Sequence, residues 1–210
     1  MQRSLVSLVH ETCVQGDSMS KVKLGAVPLV YPIPIVLVGA SVDGKPNFTE
    51  VGDCAVMGIK PALVTISLSA SHHTTKGIDE TGVFSINIPS TNMLSLADYC
   101  GIVSGRNVDK GTLFTTFLGD QTAAPLIQEC PVGLECRVLE VVQVKHRRLF
   151  IAEVVECYVS SQFVESANGK ETVPHLSKLD PIIYALDNRY YRIGDAIGTG
   201  YQEGMSHKES

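Results

Sequence analysis

The chain has 210 residues, 44% of them hydrophobic, and a formal net charge of -5. That hydrophobic share supports a sizeable folded core and excludes a wholly disordered chain. Apart from Lys145-His146-Arg147-Arg148 there is no basic run, so the basic face that nucleic acid would need is missing and no nucleic-acid partner is expected.

Residues 1–23 carry Glu11, Asp17, Lys21 and Lys23 and lack the apolar run of a secretory leader. Residues 24–42 are uncharged, but Pro28, Pro32 and Pro34 interrupt them. Proline at those positions breaks a spanning helix, so an extended entry into a buried strand is expected, with no membrane partner and a cytoplasmic setting. In that setting Cys13, Cys54, Cys100, Cys130, Cys136 and Cys157 are expected to be reduced thiols. None forms a C-x-x-C pair or a zinc spacing, and no metal site is expected.

Residues 34–42 (PIVLVGASV) read as a buried strand, followed by turn chemistry at Asp43-Gly44-Lys45-Pro46. Residues 47–53 read as a polar loop and 54–57 as a short apolar run. Pro61 opens a strand over 62–68, in which Leu63, Thr65 and Ser67 alternate with Val64, Ile66 and Leu68. A short helix follows, with Ser71 as its N-cap, Ile78 as its lone large apolar residue and Gly82 at its end. Residues 83–88 alternate again, 92–100 suggest a second short helix stopping at Gly101, and 104–124 are rich in loops. Residues 133–142 and 149–159 predict a long hairpin around Lys145-His146-Arg147. A polar linker at 171–178 leads to a terminal hairpin around Asp187-Asn188, and the tail beyond Gly200 is expected to fray. Many strands, few helices and no βαβ repeat predict a mainly β fold, a small antiparallel barrel with helical insertions. One domain is expected across 1–210, with its core at about 25–195, an N-terminal extension at 1–24 and a C-terminal tail at 200–210.

No dinucleotide fingerprint, Walker loop, nucleophile elbow or zinc-protease motif is present. His10, His146, His175 and His207 read as scattered surface or loop residues. Ser69-Ala70-Ser71-His72-His73-Thr74-Thr75-Lys76 is different: hydroxyls, imidazoles and an ammonium gather where a helix begins. Free N–H groups and the helix dipole favour an anion there, so the cluster reads either as a phosphate site or as a heavily decorated N-cap. Asn47, Phe48, Thr49 and Glu50, ahead of Asp53-Cys54, read either as partners for a planar ring or as an ordinary surface loop. Cys54 reads either as a redox thiol or as a buried structural cysteine.

The segments in order resemble the flavin reductase-like family. Residues 34–40 (PIVLVGA), then Gly44 and Asn47-Phe48-Thr49, then 61–68 (PALVTISL), His73-Thr74, Ile78, 81–87 (TGVFSIN), Ser104-Gly105 and Asp109-Lys110 carry the resemblance. Gly111, where an aromatic is usual, and the absence of Trp depart from it. The resemblance implies an FMN-binding split barrel, a Greek-key antiparallel β-barrel like the flavoredoxins, acting as a homodimer with non-covalent FMN near the subunit interface. It implies ring contacts at Asn47, Thr49, Asp53, Cys54 and Ala55. Ribityl and phosphate contacts fall on Ser67, Leu68, Ser69, His73 and Thr74, with Asn87 beside them, Lys76 as a further candidate and Lys110 near the flavin or the neighbouring subunit. The implied function is flavin-dependent electron transfer with NAD(P)H or a redox protein as donor. Two alternatives are an NAD(P)H:flavin oxidoreductase using flavin as substrate and a non-catalytic FMN-binding protein.

Overall fold

The computed structural model describes residues 20–167, 170–172 and 174–208; Cys13 and His10 lie outside them. Residues 24–31 are irregular and exposed. β1 (Ile33–Pro34) leads into β2 (Val36–Val42), buried along nearly its whole length. A seven-stranded antiparallel sheet is the frame. Its remaining members are β3 (Lys45–Val51), β4 (Cys54–Gly58), β5 (Leu63–Ser69), β6 (Val83–Ile88), β9 (Val132–Val144) and β10 (Arg147–Val159). They run in the order β3-β2-β6-β9-β10-β5-β4. The edge strands β3 and β4 are separated in sequence by only Gly52 and Asp53, so the sheet curls until its edges approach at that point. There the Ser67 amide donates to the Asp53 carbonyl at 2.9 Å.

The run at 34–42 is apolar apart from Ser41 because both faces of β2 are covered. Val36, Val38 and Ala40 face the barrel interior with Ile66, Leu68, Phe84, Ile86 and Phe150. Leu37 faces outward, into a second core with Phe48, Met93, Ala97, Cys100 and Ile127. That second core lies under α2 (Leu94–Ile102), which continues through Gly101 rather than stopping there.

The main correction falls on residues 45–51. They form a strand, not a loop, in register with β2 (Val38 opposite Thr49, Ala40 opposite Asn47). Asp43 (φ 51°) and Gly44 (φ 78°) make the tight turn between the strands. Because β3 has one face on the second core through Phe48, the alternating Asn47 and Thr49 go to the other face, and they are buried too.

The first helix, α1 (His73–Thr81), begins two residues beyond Ser71. His72 is its N-cap and makes no side-chain capping bond, while Gly82 closes it in the left-handed conformation. Gly77 lets α1 lie against β2: a Cβ there would collide with the Ser41 carbonyl and Val42. Segment 104–124 holds a 3-10 turn (Lys110–Leu113) and β7 (Thr116–Leu118), which pairs with β8 (Pro125–Ile127). Beyond the long hairpin lie the pair β11 (Glu165–Ala167) and β12 (Lys170–Thr172), and α3 (Leu176–Leu179), where a linker was expected. The expected terminal hairpin is present as β13 (Ile183–Ala185) and β14 (Arg189–Tyr191), and Glu203–Lys208 forms a 3-10 turn. Among the described residues, no helix is long and apolar enough to cross a membrane.

Candidate functional site

The α1 N-terminus, β3 and loop 103–110 converge on two adjoining polar cavities of about 300 and 350 Å³. They share His73, Gly105, Arg106 and Lys110. Thr49, Ser71, His72 and Thr74 line the first, and Asn47 lines the second. Asn47 Nδ2 donates to Thr74 Oγ1 at 2.7 Å, joining strand to helix beneath the cavities. Gly105 makes the fit possible, since a Cβ there would overlap Asn47 Oδ1 and press on the His73 ring.

The electrostatics favour an anion. The first N–H groups of α1 have no side-chain cap, and its dipole is positive at that end. Arg106 Nη1 donates to the Ser71 carbonyl at 2.9 Å. Lys110 is only 3% exposed, and its ammonium donates to the Cys100 carbonyl at 2.7 Å. Among the described residues it makes no ion pair. Burial pushes the Lys110 pKa down. The His72 pKa is lowered by burial and by Arg147, Lys110 and Arg106; that of His73 is lowered by burial, then by Arg106 and Lys76. These imidazoles are therefore neutral hydrogen-bonding groups in a positive field. Lys76 turns instead to Asp43, at 2.7 Å.

A third cavity continues the groove through the shared wall of Glu50, and a fourth, of about 500 Å³, joins it through Ile33, Gly52, Asp53 and Leu186. The fourth is largely apolar, lined by Pro28, Val30, Cys54, Ala55, Thr65, Ser67 and Leu149 among others. Thr65 Oγ1, itself inaccessible, has no hydrogen-bond partner among the described residues. Arg147 braces this end: Nε donates to Ser67 Oγ at 3.0 Å, Nη2 to the Ser67 carbonyl at 2.7 Å, and Nη2 also bonds Asp53.

The residues singled out in sequence therefore divide. Asn47, Thr49, His73, Thr74 and Lys110 meet at the polar end, and Asp53, Cys54, Ala55 and Ser67 at the apolar end. Ser69 stands just outside: its Oγ meets Ser71 Oγ at 2.9 Å, and its carbonyl accepts from Thr75 Oγ1. The Leu68 side chain is in the barrel core. Asn87 is not brought to the groove. Its amide donates to the Leu37 carbonyl and Ser85 Oγ and accepts from the Ile127 amide, so its polar side chain is used in holding β2, β6 and β8 together. Cys54 carries a thiol whose pKa is raised by burial to about 11, the opposite of an activated thiolate. Arg106, Arg147 and Thr65 were not picked out. Arg147 stood in the one basic run, but its use depends on the pairing of Arg147 with Ser69 that starts the β10–β5 ladder.

The groove suits a ligand with an anionic end and a flat, mostly apolar end. The uncapped helix start, the buried Lys110 ammonium and the Gly105 cradle fit a phosphate, and the apolar lining beside Asp53 and Ser67 fits the face of a flat ring such as a flavin. Among the described residues, no three His, Cys, Asp or Glu side chains gather to hold a metal.

Known proteins point the same way. The chain is 36% identical to the flavoredoxin of Methanosarcina acetivorans, with a TM-score of 0.83 over 90% of this chain and 99% of that one. It is 31% identical to the flavoredoxin of Desulfovibrio vulgaris (Miyazaki F), with a TM-score of 0.80 over 88% of this chain and 100% of that one. It is also 27% identical to an uncharacterized protein of Archaeoglobus fulgidus, over 60% of this chain and 72% of the relative. The flavin reductase-like domain model matches residues 29–192, and the chain belongs to that family, with its split-barrel fold.

Proposed function

We propose that this protein is an FMN-binding oxidoreductase of the flavoredoxin kind, passing electrons through a non-covalently held flavin. The observation that carries the reading is the row of adjoining cavities. An anion-seeking pole at the α1 N-terminus borders a third cavity at Glu50, and that cavity borders an apolar slot at Gly52 and Asp53.

His73, Thr74, Arg106 and Lys110 would hold the phosphate, with the α1 N–H groups completing its shell. Asn47 and Thr49 would bond the ribityl chain or ring edge, and Asp53, Cys54, Ala55, Thr65 and Ser67 would border the ring. Bound flavin supplies the hydride and electron chemistry, which is the cofactor's own. The protein's contributions are orientation, exclusion of water from one face, and a cationic pole that favours a phosphorylated flavin over riboflavin. Cys54, a neutral thiol near pH 7, serves as packing at the ring end.

A homodimer is part of this reading. The edge strand β4 and the connection after it expose Val56, Met57 and Ile59, and β9 exposes Leu139, Val141 and Val144. An apolar surface of this kind on an edge strand calls for a partner, and a second copy would cover it. NAD(P)H or a reduced redox protein is the proposed donor. Purified protein incubated with FMN and desalted should retain the yellow colour, and colourless protein would overturn the reading. Anaerobic NADH or NADPH should then bleach it if a pyridine nucleotide is the donor. Failure to bleach, followed by bleaching with a reduced redox protein, would assign that role to the protein donor.

A further inference from the structure

Glu50 stands in the wall between the polar cavity and the third cavity, with Lys110 and His72 on one side and Tyr184 and Tyr190 on the other. Its Oε1 lies 3.1 Å from the Tyr190 hydroxyl, which lies 2.7 Å from Asp98 Oδ1 on α2. Oε2 faces the Gly101 backbone, where a Cβ would collide with it. Three oxygens thus form two hydrogen bonds, and the phenol supplies only one proton. The shorter bond, to Asp98, is the one expected of a phenol donating to a carboxylate. The 3.1 Å contact is then a hydrogen bond only if a second proton sits on Glu50.

We propose that Glu50 is a neutral carboxylic acid in the resting protein, and that Glu50, Tyr190 and Asp98 form a relay carrying protons from the partly exposed Asp98 to the groove. The groups around Glu50 agree. Burial is the largest influence on its pKa and raises it; a Tyr190 hydroxyl turned to donate to Glu50 would lower it, and the charge of Asp98 raises it; Lys110, His72, His73, Arg106, Asp53 and Cys100 are other titratable or charged groups lining the two cavities or near Glu50. Tyr190 keeps its own proton, since burial and then the Asp98 bond push its pKa far up.

The relay rests on the flavin reading in one respect, the identity of the recipient. Hydride transfer brings two electrons and one proton, so full reduction draws a second proton from the protein. Glu50 gives up its proton to the bound molecule and becomes a carboxylate. As the Tyr190 proton passes to Glu50, the Asp98 carboxyl, protonated by a hydronium ion of the solvent, hands its proton to Tyr190 in the same step and returns to the carboxylate, and no electrons move along the chain. Glu50, which lines the polar and third cavities near Thr49, is the group that borders the bound molecule, and Tyr190 and Asp98 are positioning residues.

Two measurements test this. Carboxyl NMR of the full chain, without flavin and labelled at glutamate, should show one signal titrating above the ordinary glutamate range. That signal should vanish in Glu50→Gln and move down in both Asp98→Asn and Tyr190→Phe, the second because it removes the oxygen to which the neutral acid donates. No upshifted signal, or one that survives in Glu50→Gln, overturns the neutral acid. In flavin-loaded protein, the midpoint potential plotted against pH should change slope where the Glu50 signal titrates, and Glu50→Gln should lose that break. A break retained in Glu50→Gln overturns the relay. Failure of the protein to bind flavin removes the recipient and overturns delivery to it, while the NMR titration separately decides the state of Glu50.

Discussion

Replacing Thr74 with valine removes one hydroxyl and keeps the shape of the side chain. Thr74 is 1% exposed and Asn47 is 5% exposed, so water cannot take the place of the 2.7 Å bond between them. The Asn47 amide then keeps a buried N–H without a partner, which costs about 1–3 kcal/mol. In a domain of this size that is a fall in Tm of roughly 2–12 °C, read by thermal unfolding of the flavin-free protein. If the same hydroxyl also meets the phosphate, FMN affinity falls by a further 5- to 150-fold, roughly, for a loss of similar size. Thr74→Ser keeps the hydroxyl and should retain most of both. A Thr74→Val protein that melts with the wild type would refute the claim that this bond ties β3 to α1. Unchanged FMN affinity would remove Thr74 from the ligand contacts.

Three further perturbations probe other parts of the structure. Gly105→Ala should weaken FMN binding at least tenfold, roughly the effect of 1.4 kcal/mol, because the added methyl displaces Asn47 and His73; wild-type affinity in a calorimetric titration would show that the loop yields freely. Glu135 is fully buried on β9. Burial raises its pKa, but bonds from Thr122, Tyr158 and Gln121 outweigh this and leave it below the usual 4.5. A depressed carboxyl stabilises the fold above its unfolded pKa, and that contribution is lost as pH falls below about 4.5 through the folded pKa. Glu135→Gln should therefore cost about 1.5–3 kcal/mol at neutral pH and flatten the acid limb of a denaturation curve; an unaltered acid limb would refute the assignment. Because Cys54 is a neutral thiol near pH 7, iodoacetamide should modify it slowly in the folded protein, and Cys54→Ser should keep full electron transfer. Rapid alkylation, or loss of turnover, would make Cys54 a reactive group.

The parts of the fold with a local rhythm were legible in the sequence. The alternation across Leu63 to Leu68 and the paired runs around Lys145-His146 announce β5, β9 and β10. The α1 hydroxyl and imidazole cluster was visible because helix starts have a compositional signature. Strand β3 was hidden because Asn47 and Thr49 turn polar side chains toward the groove, which makes a strand read like a loop. Asn87 ends a clear strand, and only the packing of β2 and β8 against it reveals that its amide is already used. Arg147 bracing Ser67 and Tyr190 bridging Glu50 and Asp98 join residues far apart in the chain, so no local pattern could announce them.

The central claim is that the pole at the α1 N-terminus holds the phosphate of a flavin. Calorimetric titration of flavin-free protein with FMN and, separately, with riboflavin tests it most directly, with Arg106→Ala and Lys110→Met run beside the wild type. FMN should bind well above riboflavin, and the difference should shrink in both variants. Equal affinity for the two flavins, or a preference for FMN unchanged in both variants, would contradict it.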